Sequence, residues 1–281
     1  MDNFTFSMIL LAAVMHASWN FFTKKTKRDR FALLWIAHLY IMFFTIPIIP
    51  QGLFGLTLGY NLLICIIFTA IVHSLYIITL GWAYRIGEIS FIYPISRGVG
   101  ILGASIGSCM LGIDSLSYLG VIGVCIIVLG VIILGNSQYK NASKHAFIGA
   151  VTLGLLTASY SVIDRIGVNY IDPLSYCSIM FFVTGVMLSF YVLIMRRDLV
   201  KDLKYQYFRD GGFLGTTMFI TYIIVLHAFE QSPVAYVVAL REISVAIAAT
   251  LGIVILKESM SMQKILGIFI LLLGAVAIKL V

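Results

Sequence analysis

Two arginines in this sequence stand inside long apolar runs, Arg97 and Arg241. A guanidinium at the centre of such a segment costs about 2.5–3.5 kcal/mol on insertion scales, so the two together ask for roughly 5–7 kcal/mol. That is large against a typical net stability of about 5–15 kcal/mol. Each arginine must be paired or must face water. The guanidinium fork matches the oxygens of a carboxylate or phosphate, which makes both residues candidate anion-binding groups. The alternative is a structural arginine pinned to backbone carbonyls or to an acid. Glu242 adjoins Arg241 and is the candidate to hold it in place, although adjacent helical residues point about 100° apart. Arg97 has no acidic neighbour in its own segment.

A second pattern is a polar and aromatic stripe. His16, Trp19, Asn20 and Thr23 fall at i, i+3, i+4 and i+7, on one face of a helix. Thr157, Tyr160, Ser161 and Asp164 repeat that spacing later in the chain. Recurrence favours the wall of a cavity; a hydrogen-bonded seam between helices is the competing explanation. Tyr93, one turn before Arg97, belongs with the wall, and so do Tyr76 and Tyr222. His73, Thr217 and Thr221 are further wall candidates. The expected substrate-binding set is therefore His16, Trp19, Asn20, Tyr76, Tyr93, Arg97, Tyr160, Ser161, Tyr222 and Arg241. Glu242 and Asp164 are expected to pair charge or couple transport to a proton.

No cofactor or metal is expected. The sequence holds no HExxH, GxSxG or GxxxxGK[ST] motif, so no metalloprotease, serine hydrolase or ATP-driven pump is indicated. Cys65, Cys109, Cys125 and Cys177 are isolated in apolar runs and read as small buried hydrophobes.

The elements that must position these residues follow from composition. Of the 281 residues, 61% are hydrophobic and 11% charged, with a net charge of +7. This excludes a soluble globular protein, a disordered chain and a nucleic-acid binder; a soluble domain carries about 25% charged residues. A membrane helix needs about 20 apolar residues. Spans are expected at 4–22, 31–50, 61–84, 89–111, 117–135, 146–164, 173–195, 211–229, 234–256 and 264–280, giving an all-α integral membrane protein of ten transmembrane helices. The runs are too long and too uniformly apolar for a membrane β-barrel. No signal peptide is expected, since Met1 to Met15 contains no Lys or Arg. Lys and Arg collect in the loops after the odd-numbered spans, leaving Arg165 and Lys279 on the other side. Cytoplasmic loops are the basic ones, so both termini are expected outside the cytoplasm.

The chain also repeats itself. One offset pairs Arg97 with Arg241, Asp114 with Glu258, Ser115 with Ser259, Ser117 with Ser261, Gly123 with Gly267 and Gly130 with Gly274. The expected units are 1–140 and 141–281, with five spans each. An odd number of spans turns the second copy upside down in the membrane, an architecture common among secondary transporters. Two such halves rocking around a central cavity expose one site alternately to each side. Gly123, Gly130, Gly267 and Gly274 are expected packing seams. Pro94 with Gly98, Gly100, Gly103 and Gly107 loosens the fourth span, and Gly103 with Gly107 forms a GxxxG packing motif.

The first span, AAVMHASWNFFTKK, and the closing segments MLGIDSLSYLGVIGVCIIVLGVIIL and VILKESMSMQKILGIFILLLGAVAI resemble the EamA family of the drug/metabolite transporter superfamily. Each closing segment sets an acidic residue and a short polar turn before a glycine-containing last helix; Asp114 stands where the first half often has Glu. The resemblance implies a transporter with inverted repeats and a central cavity, carrying amino acids or other small metabolites, with no catalytic residues. Relatives are commonly described with both termini in the cytoplasm, opposite to the direction of the basic loops here. The expected function is gradient-driven export or import of a small polar metabolite, such as an amino acid or a carboxylate-bearing compound, by alternating access across the inner cell membrane, with the bilayer and the cargo as partners and a monomer as the working unit. The competing function is a flippase for lipid-linked substrates, or an accessory membrane subunit of the same fold.

Overall fold

The computed structural model describes residues 1–25, 29–49, 59–87, 89–135, 143–201, 203–256 and 261–281. All regular structure among them is helical: α1 (Asn3–Lys25), α2 (Arg30–Thr45), α3 (Tyr60–Ile86), α4 (Ile89–Met110), α5 (Tyr118–Gly135), α6 (Lys144–Gly167), α7 (Pro173–Met195), α8 (Arg197–Lys201), α9 (Tyr205–Gln231), α10 (Val234–Arg241), α11 (Ile243–Leu256) and α12 (Met262–Lys279). Helix stands at each of the ten expected segments. Seven stretches are long and apolar enough to cross a bilayer, one of them running through α10 and α11 together; α1 and α2 add shorter apolar helices. The protein is a multi-pass helical membrane protein.

The starts and stops follow local chemistry. Asp29, Ser143, Asp172 and Ser261 each accept a backbone N–H from the first turn of the helix that follows, which satisfies donors that a helix end leaves open. Pro173 follows Asp172 at the first position of α7, where a missing N–H costs nothing. Gly112 turns the chain after α4 with φ of 66°, a conformation open to glycine without Cβ strain. Four differences from expectation stand out, the first that α9 starts at Tyr205 rather than 211. α2 stops at Thr45 rather than 50. The short α8 is an addition, too brief to leave a periodic signal. The ninth segment is broken, with the Glu242 N–H reaching back to Ala239 and Leu240.

Large apolar side chains cover the outside: Phe43, Phe68, Ile106, Phe190, Ile194 and Phe269 are each more than half exposed. In water this surface would associate; in lipid it is the ordinary outer face of a bundle. Cys109 and Cys125 belong to it and are exposed, which corrects the expectation that all four cysteines are buried; Cys65 and Cys177 are buried. Small hydrophobic side chains suit a lipid face as well as a core, so residue type could not separate the two.

Inside, glycine sets the helix spacing. α5 lies along α12, and a Cβ on Gly123 would come within 3.1 Å of the Gly274 carbonyl oxygen, one on Gly130 within 3.1 Å of that of Gly267. These glycines are the expected seam, and they join the first half of the chain to the second. α4 lies along α6, with Gly100 against Thr157, Gly103 against Ala158 and Gly107 against Val162. α1 packs against α9 and α11, α6 against α3 and α4, α2 against α9 and α7, and α7 against α3. Lys279 Nζ donates to the Met1 carbonyl at 2.7 Å, so the two termini share one end of the bundle.

Candidate functional site

α3 runs from the terminal end of the bundle to the basic-loop end, where its Gly81 packs on Phe31 of α2. Near that end it borders a small, partly open pocket. Trp19 of α1, Arg30 and Leu34 of α2, Tyr76, Leu80, Gly81 and Tyr84 of α3, and Tyr93 and Arg97 of α4 line it. Four of the expected residues therefore share one wall: Trp19, Tyr76, Tyr93 and Arg97. Arg30, Leu34, Leu80, Gly81 and Tyr84 were not foreseen. Tyr84 reads as a membrane-boundary aromatic in the sequence, but Tyr76, Leu80 and Tyr84 follow at i, i+4 and i+8, and that spacing was a legible stripe.

Arg97 is buried, and its partners come from α1, from the break between α10 and α11 and from α4 itself. Nη1 lies 3.4 Å from Glu242 Oε1, and Nη2 donates to His16 Nε2 at 3.2 Å. An arginine has only donors, so this His16 nitrogen accepts and carries no proton. The guanidinium also lies 4.8 Å from the centre of the Tyr93 ring, an attractive cation–π distance. His16 in turn meets Trp19 edge-on, ring centres 4.8 Å apart. Above the cavity, Arg30 stands 5.6 Å over the Tyr84 ring.

Glu242 thus pairs with Arg97, not with its neighbour Arg241. Glu242 sits at the break between α10 and α11, and the 100° step between adjacent residues sends the two side chains different ways. Arg241 is equally buried, and its Nε has no hydrogen-bond partner among the described residues; Glu242 Oε2 is left in the same state. Arg241 is not part of the cavity lining, yet its charge acts on His16, Tyr76 and Tyr93.

The remaining expected residues lie behind or beyond this wall. Ser161 is fully buried and donates to the Thr157 carbonyl at 2.8 Å, the back-bond that serine often makes within a helix. Tyr160 stacks on His73 at 4.2 Å and meets the Tyr76 ring edge-on at 5.7 Å. Tyr222 donates to Asp164. Thr217 and Thr221 bond to carbonyls of their own helix. The side chains of Asn20 and Thr23, and Glu258 of the repeat, lie outside the described residues.

The fold and this buried polar centre define a multi-pass helical membrane protein built around charge held inside the bilayer. Residues 145–280 match the EamA-like transporter family, a family of the drug/metabolite transporter superfamily. No curated protein matches the sequence. One solved crystal structure superposes with a TM-score of 0.77, covering 100% of this chain and 98% of that one at 12% identity, and shares its fold.

Proposed function

We propose that the protein is a gradient-driven carrier of a small polar metabolite bearing a carboxylate or similar anionic group, working by alternating access. The observation that carries this reading is a charge imbalance. Arg97 and Arg241 are both buried, and Glu242 is the one carboxylate that pairs with either of them among the described residues. An anion in the adjoining cavity would restore balance, and Trp19, Tyr76, Tyr84 and Tyr93 would pack its apolar part. A proline in one helix and a break in another support the same reading. Pro94 lies inside α4 three residues before Arg97, and α10 ends at Arg241 itself. Interrupted helices at corresponding places in two halves are a mark of transporter binding sites.

In this reading ten helical segments cross the bilayer as two inverted units, 1–140 and 141–281. The packing supports it: exchanging the first five segments with the second five turns α3 on α6 into α9 on α1, and α4 on α6 into α11 on α1, both of which occur. The basic loops face the cytoplasm of a cell whose inner membrane holds a single working copy. The cavity then opens toward the cytoplasm. Counterflow of labelled metabolites in proteoliposomes tests the function. Saturable exchange of an anionic metabolite, lost in Arg97→Ala while membrane insertion is kept, supports it; exchange unchanged by that substitution overturns it.

A further inference from the structure

Asp164 lies near the end of α6 and is fully buried. Its carboxylate accepts three hydroxyls from three other helices: Thr69 of α3 at 2.5 Å, Tyr176 of α7 at 2.9 Å and Tyr222 of α9. No cation lies within ion-pair distance of it among the described residues. This cluster sits at the end of the bundle away from the cavity. Thr69 and Tyr84, both on α3, are about 22 Å apart along the helix axis.

We propose that Asp164 is a proton-binding site that latches this end of the bundle, and that taking up a proton there releases it. The inference rests on the alternating-access reading and deepens it by naming the coupling ion. A neutral amide could accept hydroxyl hydrogen bonds without the cost of burying a charge, so a purely structural joint does not require an acid. What the acid adds is the capacity to take a proton. As an anion it accepts only, and bonds to a charged acceptor are roughly twice as strong as neutral ones. Once protonated it becomes a donor with reduced acceptor capacity. The ties from α6 to α3, α7 and α9 weaken together. The one new bond is O–H; the proton enters from the water on the open side and leaves to the water on the other.

The latch is joined to the cavity by contact. Tyr76 lines the cavity and meets Tyr160, Tyr160 stacks on His73, and His73 Nδ1 lies 3.1 Å from Thr69 Oγ1. The titratable groups around Asp164 are Cys65 and His73 of α3, Tyr160 of α6, Tyr176 and Cys177 of α7, Tyr222 of α9 and, at longer range, Arg241 of α10. α4 meets α6 through Gly100, Gly103 and Gly107, which carry no titratable group.

Cys177 is fully buried beside this cluster and reports whether it opens. With Cys65, Cys109 and Cys125 replaced by Ala, the labelling rate of Cys177 by a water-soluble thiol reagent is measured in nanodiscs, for Asp164→Asn and for the parent, across pH. Asp164→Asn also removes a charge beside Cys177, so a faster rate counts as opening only where Tyr222→Phe, which keeps that charge, shows it too. The expected ratio of variant to parent is about fivefold or more near neutral pH, falling toward one as acid protonates the parent. A ratio near one throughout overturns the proposal, as does a raised ratio that does not change with pH. Tyr222→Phe keeps the acid and removes one donor. It is expected to label faster than the parent and still respond to pH, so the test stands even if the Asn variant fails to fold. Because no cargo is added, labelling reads the latch alone. A pH-dependent ratio from a protein that moves no metabolite would sink the carrier reading and leave the latch standing.

Discussion

Arg97 of α4 and Glu242, at the break after α10, lie 3.4 Å apart although 145 residues separate them in the chain. The pair ties the fourth segment to the ninth. It also gives each buried residue a counter-charge. Removing one partner of a buried pair leaves the other uncompensated, which typically costs about 3–5 kcal/mol.

Glu242→Gln should therefore lower the thermal stability of the purified protein strongly, by about that amount. Arg97→Ala combined with Glu242→Ala should cost less than the two single changes added together, because the double change leaves no orphan charge. Additive losses in thermal unfolding would show that the pair does not interact.

Arg97→Lys should fail to restore transport. A lysine offers a point charge and cannot hold Glu242, His16 and a ligand carboxylate at once with a planar fork. A charge-assisted hydrogen bond is worth about 1.5–3 kcal/mol, so affinity for an anionic cargo should fall by roughly 10- to 100-fold. Counterflow affinities of wild type and variant, measured at matched protein density, check this.

Gly274→Ala should destabilise the bundle by about 1–3 kcal/mol, because its Cβ would lie 2.8 Å from the Gly123 carbonyl oxygen and 2.9 Å from the Ile127 nitrogen. Ile127 Cγ1, at 2.7 Å, could turn aside, but these two backbone atoms could not. Gly98→Ala meets nothing closer than 3.9 Å and should be neutral or mildly stabilising. Paired melting curves that reverse this order would refute the seam.

A reporter active only in the cytoplasm should stay silent when fused after Val281 and become active when inserted next to Lys201. Lys279 reaches Met1, so an N-terminal fusion should behave as the C-terminal one does. Activity at Val281 would invert the orientation.

Much of the bundle was legible in the sequence, for a reason rooted in the solvent. Lipid offers the backbone no hydrogen bonds, so each long apolar run must close its own as a helix. Glycines at one offset in both halves announced the α5–α12 seam, since only a missing side chain allows so close an approach. Trp19, Tyr76, Tyr93 and Arg97 stood out as polar or aromatic groups in apolar helices, and they share the cavity wall.

Pairing was not legible. Glu242 reads as the partner of Arg241, its neighbour in the chain, and the fold gives it to Arg97 instead. Asp164 reads as one more member of a helical stripe, and only the approach of α3, α7 and α9 shows that Thr69, Tyr176 and Tyr222 converge on it. Periodicity assigns a residue to a face of its own helix. Which helix comes to meet that face depends on how the whole bundle fills its interior, and that is decided in three dimensions, between residues far apart in the chain.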